Sequence, residues 1–452
     1  MDELMLALPG RFWSLLTRFE LPRIQVPSFA GLAAGPALLA ASPYRSTDAT
    51  PFHPDTLFLT WHRDPTTTMV VQWVGTRGET TDPNVYVRPL KAALSTPLAA
   101  VTGPALTHLS PPPTVVKTEV RPYPLSDFKV FRAELTGLAP GTDYQFRIGK
   151  ESPWYRFRTM PAKATDTVTF VSGGDVGTND HAMANNEQAA KQDPSFAVIG
   201  GDLAYENGKS VATHLAFLRN YSKGMVAKDG RLIPMVACVG NHEVDGGYGT
   251  KREKAPFFYS LFDGLFTDTG YATLDFGDYL SLVLLDSGHT SEVGGEQAYW
   301  LSKVLKDRQD HPHVFAVNHV PAYPSARSAE GTAKATGTGE ANRTHWVPLF
   351  ERYRVPVVLE HHDHTFKRTR PLLGGHTHKD GVVYLGDGSW GRIRAAQKPE
   401  KLTMMAEVSE SYHLSVHRLE DDERFHLAIG EDGRVMDTCR TTQRSAGLVR
   451  RG

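Results

Sequence analysis

Five short clusters of metal-binding side chains punctuate the chain, each following an apolar run. They are Gly173-Gly174-Asp175, Gly201-Asp202-Leu203-Ala204-Tyr205, Gly240-Asn241-His242-Glu243, Asn318-His319 and His362-Asp363-His364. Together they offer carboxylates, an amide oxygen, a phenol and imidazoles, enough donors for two metal ions. Carboxylate and phenolate are hard anionic donors that favour a ferric ion, while imidazole and amide suit a divalent ion such as Zn, Mn or Fe(II). A shared carboxylate holds two ions about 3.5–4 Å apart, the spacing used for in-line displacement at phosphorus. Ions so placed lower the pKa of a bound water from ~15.7 towards ~7 and neutralise charge on the phosphoryl oxygens. Taken singly, an Asp after Gly is ordinary turn chemistry, and a lone His after a strand is more often structural. The order and placement of the five clusters together point to a metallohydrolase.

The elements that must position these residues are legible in outline. Apolar strands are expected at 167–171, 196–199, 235–239, 280–285, 314–317 and 355–359, with helices at 181–192, 211–225, 297–308 and 344–353. Alternating strands and helices predict an α/β layered domain over 166–440. Every cluster lies just past a strand, and in such sheets ligands gather beyond the carboxyl ends of the strands. Glycines 173, 174, 200, 201 and 240 let the backbone turn sharply there. His242 directly follows a candidate ligand and is placed to bind a phosphoryl oxygen or to protonate a leaving oxygen.

Residues 54–160 read instead as all-β, with short strand-like runs at 70–74, 85–87, 130–135 and 154–157 separated by Pro, Gly and Asp. Leu138-Ala139-Pro140-Gly141-Thr142-Asp143-Tyr144 carries the pattern of a tyrosine corner, and the segment resembles a fibronectin type III sandwich. Pro111-Pro112-Pro113 marks a loop in it, and Trp61, Trp73 and Trp154 read as core or interdomain packing. Near the end, 412–419 and 424–429 flank an acidic turn and predict a hairpin.

At 452 residues, with 40% hydrophobic and 22% charged content, the chain has room for two domains and a sizeable core. A formal net charge of −1 supplies no field towards duplex nucleic acid, so no such partner is expected. Cys238 and Cys439 are the two cysteines; Cys238 sits in an apolar run and reads as a buried free thiol. No apolar stretch reaches the ~20 residues of a membrane-spanning helix. Residues 1–50 form a leader containing a signal-like apolar stretch at 28–41, interrupted by Pro36. Cleavage there would imply a secreted or periplasmic location; otherwise the chain is expected in the cytoplasm. Residues 441–452 read as a basic tail.

The five clusters, in this order, resemble the purple acid phosphatase branch of the calcineurin-like metallophosphoesterases. Gly201-Asp202-Leu203-Ala204-Tyr205 selects the branch, because the family's Gly-Asp-x-x-Tyr supplies a tyrosinate to ferric iron. The resemblance implies a metallophosphoesterase sandwich preceded by the all-β domain. It implies that Asp175, Asp202, Tyr205 and His364 hold Fe(III), and that Asp202, Asn241, His319 and His362 hold a divalent Zn, Fe or Mn, with Asp202 bridging. It implies His242 as the substrate-contacting group, metal-bound hydroxide as nucleophile, and a small phosphate monoester as substrate. Arg368-Thr369 and Gly386-Asp387-Gly388 fit the same pattern.

Two departures keep alternatives open. The family places Gly before its His-x-His pair, whereas this chain has His361, so a one-residue slip in register would make His361 the ligand in place of His362. The large forms of the family also carry substrate histidines between the fourth and fifth clusters, whereas loop 325–339 has none. A phosphodiesterase or nucleotidase therefore remains a second reading, with His376 and His378 as local replacements. His289 lies in a loop near the site without a role. A reading of another class is a catalytically silent binding or adhesion protein that uses its fibronectin-like domain.

Overall fold

A computed structural model describes residues 52–90, 111–164, 167–332 and 336–442. The expected leader, and the tail beyond Thr442, lie outside the described residues. Thr441 and Thr442 themselves belong to the last strand, Val435–Thr442, so the final strand runs into the stretch read as tail.

The first part is all-β. One antiparallel sheet runs in the order Phe58–Thr60, Met69–Gly75, Lys129–Leu135, Glu119–Pro122. The other runs Thr114–Val116, Val85–Pro89, Asp143–Ile148, Tyr155–Arg158. Tyr144 closes the expected corner: its buried hydroxyl accepts the Ala139 N–H at 2.9 Å. Strand Met69–Gly75 is covered on both faces, and the period of two explains how. Trp73 stacks on Phe131 at 5.1 Å on one face. On the other, the cross-strand pair Gln72 and Arg132 meets the second part of the chain. Trp61 and Trp73 are core residues as expected, but Trp154 is not. It lies half-exposed between the guanidinium groups of Arg88 and Arg147, 4.5 and 4.9 Å from its ring, a cation–π arrangement that needs no burial.

The second part packs two sheets face to face. A six-stranded sheet has the order Met235–Ala237, Ala197–Ile199, Val168–Gly173, His413–Glu420, Glu423–Gly430, Val435–Thr442, its first three strands parallel. A seven-stranded sheet has the order Ala272–Phe276, Leu280–Leu285, His313–Asn318, Val357–Glu360, Val383–Asp387, Phe366–Thr369, Met405–Ser409. Its middle four strands, Leu280–Leu285 to Val383–Asp387, run parallel. Phe170 of one sheet meets Phe315 of the other edge-on at 5.2 Å. Helices Asp180–Lys191 and Val211–Gly224 are capped by Asn179 and Ser210, whose side chains accept the Ala182 and Thr213 N–H groups. Gly295–Asp307 buries Leu301 and Leu305, as its spacing predicts. The single helix expected at 344–353 is two, Glu340–His345 and Val347–Arg352, because Pro348 can sit in a first turn but not within a helix. The hairpin expected near the end gains a third strand, Val435–Thr442. Cys238 is buried and free.

Arg132 ties the two parts together. It is 5% exposed, and its guanidinium reaches Asp263 at 2.7 Å, the Ser260 and Leu261 carbonyls at 3.0 Å and Gln72 at 2.9 Å. Arg132→Ala leaves Asp263 and two carbonyls without that partner. It is expected to cost about 3 kcal/mol, read as a lowered urea midpoint.

The core also holds unusual histidines. Burial holds His62, His313, His413 and His417 down at about 4 and His214 at about 3, against an ordinary 6.5. These groups are neutral in the fold where an unfolded chain would be charged. The unfolded chain therefore binds extra protons below 6.5, and stability falls as pH drops from there towards 4. The slope is on the order of 1.4 kcal/mol per pH unit for each such histidine. Urea midpoints measured at about pH 7, 5.5 and 4.5 are expected to fall in that order. A flat profile would contradict the burial of neutral imidazoles.

Candidate metal centre

The parallel strands of both sheets end at one edge, and the loops beyond them are stitched to each other. Asp175, Val176 and Gly177 donate their N–H groups to the carbonyls of Gly201, Asp202 and Leu203 at 2.9–3.0 Å. His361 N–H reaches the His319 carbonyl at 2.9 Å, and Gly174 N–H the Asp387 carbonyl at 3.0 Å. Glu243, fully buried, accepts three backbone N–H groups at 2.7 Å, from Asp202, Leu203 and Gly240. It thereby fixes the turn that carries Asp202.

The structure brings together all eight residues singled out for the site. Asp175, Tyr205 and His364 form one group: the Tyr205 hydroxyl is 3.1 Å from Asp175 Oδ1 and 3.2 Å from His364 Nε2, and His364 Nε2 is 3.0 Å from the same oxygen. Asn241, His319 and His362 form a second: His319 Nε2 is 3.1 Å from Asn241 Oδ1 and 3.1 Å from His362 Nδ1. Asp202 lies at the junction, with Oδ2 at 3.3 Å from His319 Nε2. One donor atom from each of Asp175, Asp202, His319 and His362 lies within 4.8 Å of the others. His242 packs its ring 4.4 Å from that of Tyr205 and points Nε2 towards Asp202 Oδ2, 4.0 Å away.

Each carboxylate spends one oxygen on a backbone N–H. Asp175 Oδ2 accepts the His362 N–H at 2.7 Å, and Asp202 Oδ1 accepts the His242 N–H at 2.8 Å, which leaves the other oxygens facing inward. Among the described residues Asp202 Oδ2 is buried and has no aligned hydrogen-bond partner, with His319 Nε2 its neighbour at 3.3 Å. A buried carboxylate oxygen left that way is costly unless a cation lies beside it, so the donor set fits metal ions. His319 Nδ1 faces the Gly200 carbonyl at 2.9 Å, which places its proton there and leaves Nε2 free as a donor atom.

Backbone strain marks the same residues. Asp175, Asp202, Tyr205, His362 and His364 all have φ between 54° and 67°, a left-handed conformation that side chains with a Cβ avoid. Such strain gathers at functional sites, at about 1–3 kcal/mol each.

Electrostatics follow from burial. Burial pushes Asp202 up, but His319, His242 and His362 outweigh it and hold the carboxyl below its usual range. Burial opposes the charge on His319, and Asp202 and Asp175 overcome it, raising the imidazole to about 9. Burial, then Asp175 and Asp202, push the Tyr205 phenol far up, so only a strong Lewis acid beside it would draw off its proton. Burial and Asp202 raise Glu243 to about 8.

His361, the ligand of the alternative register, lies outside the donor group. Its ring is fully buried over Gly174 and Gly200, where any Cβ would collide with it. Its Nδ1 lies 2.9 Å from the Asn318 carbonyl and its Nε2 2.7 Å from Asp387 Oδ1, an ion-pair approach without hydrogen-bond alignment. His361 thus fills the space under the loops while His362 enters the group. His376 and His378 lie on an exposed ribbon formed by Leu372–Leu373 and His376–Thr377, outside the group. Glu243, Asp387 and Tyr248 were not singled out by sequence. Glu243 and Asp387 sit inside recognised motifs, whereas Tyr248, among three glycines, gave no signal.

Two family models match adjoining stretches: the N-terminal domain of purple acid phosphatases at residues 54–159, and the calcineurin-like phosphoesterases at 165–380. Among curated relatives, purple acid phosphatase 21 of Arabidopsis thaliana is 25% identical over 292 residues, 63% of each chain. An uncharacterized protein of Mycobacterium tuberculosis is 26% identical over 370 residues, 70% of this chain and 62% of its own length. The chain thus spans less than two thirds of the length of these relatives. Among solved structures, a purple acid phosphatase from yellow lupin seeds superposes with a TM-score of 0.68 at 15% identity, over 88% of this chain and 76% of that one. PhoD does so with 0.59 at 11% identity, over 90% of both. These two are likenesses of fold. On the adjoining family matches, the chain belongs to the purple acid phosphatase branch of the calcineurin-like metallophosphoesterases.

Proposed function

We propose that the chain hydrolyses phosphate monoesters at a dinuclear metal centre. The observation that carries this reading is the pairing of two donor groups across Asp202, one rich in hard oxygen donors and one in imidazole and amide. Asp175, Tyr205 and His364 would hold Fe(III), and Asn241, His319 and His362 would hold a divalent Zn, Fe or Mn, with Asp202 shared. When bound, such a pair supplies an activated solvent nucleophile and neutralises the phosphoryl oxygens.

The chain's own residues do the rest. The Asn207 amide oxygen sits 2.6 Å from His242 Nδ1, which fixes the proton on that nitrogen and leaves Nε2 facing the group. His242 is 36% exposed at its side chain and is therefore within reach of a substrate from solvent. Protonated at Nε2, it would hold a phosphoryl oxygen or deliver a proton to the leaving oxygen. The Arg392 guanidinium lies 4.3 Å over the Tyr205 ring and adds positive charge on the same side. Loop 325–339 contributes no histidine, so the contacts that would select a monoester over a diester are fewer than in the family pattern.

His242→Ala is expected to lower kcat by about 10²-fold or more on an alkyl phosphate, whose leaving group needs a proton. The loss should be smaller on p-nitrophenyl phosphate, whose leaving group does not. Equal losses on both would remove His242 as the acid. A panel of monoesters, diesters and nucleotides decides the substrate class; preferred turnover of diesters would replace the monoester reading. A protein that retains no metal and turns over none of them would be the binding module instead.

Tyr205→Phe tests the ferric half separately. The wild-type protein loaded with iron and a divalent ion is expected to be purple from phenolate-to-iron charge transfer. The variant should lose the colour and keep the divalent ion, measured by visible absorption and elemental analysis. A purple variant would reject the assignment.

A further inference from the structure

Tyr248 stands beside the second donor group. Its hydroxyl is 3.3 Å from Asn241 Oδ1 and 3.3 Å from His362 Nε2. The same His362 turns its other nitrogen, Nδ1, towards His319 Nε2 at 3.1 Å. The two ring nitrogens therefore face different things: Nδ1 faces the donor group and Nε2 faces the phenol. For Nδ1 to offer a lone pair, Nε2 must carry the proton, and the Tyr248 oxygen is there to accept it. The phenol can then give its own proton to Asn241 Oδ1, so that one hydroxyl joins two candidate ligands of one ion.

The loop that carries Tyr248 is held in place. Gly249 N–H reaches the Gly288 carbonyl at 2.8 Å and Thr250 N–H the His289 carbonyl at 3.0 Å. His289 is fully buried, accepts no role in the donor group itself, and directs Nδ1 at the Gly247 carbonyl at 2.9 Å. Its ring lies 4.8 Å from that of Tyr248 and 5.6 Å from that of His319. Gly246, with φ of 106°, makes the bend that brings the loop back over the site, a conformation closed to residues with a Cβ. Tyr248 remains 47% exposed, so its hydroxyl is held at the site by these contacts and not by a surrounding core.

We infer that Tyr248 is a positioning residue for the divalent half of the centre: its hydroxyl fixes the tautomer and orientation of His362 and the orientation of the Asn241 amide. The inference rests on the dinuclear reading given above. It predicts an effect on one ion and not on the other, because Asp175, Tyr205 and His364 do not touch the phenol. Loss of an outer partner to a metal-binding His typically weakens metal affinity by about 10–100-fold.

The test is Tyr248→Phe, which removes one exposed hydroxyl and keeps the ring over His289. Full-length wild type and variant are loaded with iron and zinc and dialysed against graded concentrations of a chelator. Zinc and iron are measured by elemental analysis, and the Tyr205 colour by visible absorption. The expected result is zinc released at roughly tenfold lower chelator from the variant, with iron and colour retained as in wild type. Turnover of a phosphate ester should fall in step with zinc and return with excess zinc. Unchanged zinc retention overturns the inference, as does equal loss of both metals. Full zinc occupancy with a raised KM overturns it in favour of a substrate contact. A lower melting temperature of the metal-free variant also overturns it, since the hydroxyl would then serve the fold. Failure of the dinuclear reading is distinct, because wild type itself would then hold only one ion or none, and the inference would fall with it.

Discussion

Asp175 and Asp202 carry their carboxylates in the interior, 0% and 1% exposed, at the point where the two sheets' strand ends converge. Glu243 and Glu206 are each no more than 2% exposed; burial and then Asp202 push Glu243 up, and burial and then Glu243 push Glu206 up. Gathering acids away from water is unfavourable unless positive charge is provided locally. The imidazoles of His319, His242 and His362 are the groups that offset Asp202 most, and each must take up a proton to do so. Two cations would satisfy the same oxygens without that protonation. Much of the surrounding structure makes sense as a frame that holds acids together until cations relieve them.

The frame is mostly backbone. Five of the proposed ligands sit in left-handed conformations that an isolated turn would not keep. They are kept because neighbouring loops pair their N–H and C=O groups across the site and because Glu243 takes three N–H groups at once. His361 contributes from below, its ring occupying space that Gly174 and Gly200 leave open. The Gly-to-His change relative to the family pattern is therefore accommodated by glycines on two other strand ends, with Asp387 beside the ring. A chain of buried polar side chains continues from there: Asp387 to Ser172, Ser172 to His417 at 2.7 Å, and His417 to His426 at 2.8 Å. This chain joins the centre to the outer strands of the six-stranded sheet.

The candidate site was legible because each cluster of polar residues lies just past an apolar strand, a pattern that survives without any knowledge of packing. Strand 280–285 could be read to the residue for the same reason. What could not be read depended on partners distant in sequence. Trp154 has the composition of a core residue, yet two arginines on neighbouring strands hold it at the surface. The strand Val435–Thr442 alternates weakly and is defined by its pairing with Glu423–Gly430. The helix break at Trp346 was available in Pro348, a local signal outweighed by the apolar period around it. Tyr248 could not have been found, since nothing within its glycine-rich stretch shows that the loop folds back onto His362, 114 positions away.

Acid acts on this molecule through two routes that reinforce each other. The neutral core histidines favour the unfolded chain as pH falls, because that chain takes up protons that the fold refuses. The same protons would compete with a metal for its imidazole ligands, since an imidazole must be neutral to donate its lone pair. Metal binding to the fold and not to the unfolded chain contributes stability that grows with metal concentration. Were the centre loaded, ion loss in acid would remove a stabilising ligand at the pH where the histidine core is itself weakening. The first part of the chain joins the balance through Arg132 and Asp263, which need no proton exchange near neutrality and hold the end of helix Pro256–Phe262 against the first sheet. The buried neutral imidazoles inside the sheets thus weaken the fold as pH falls, and occupancy of the centre by metal would oppose that loss.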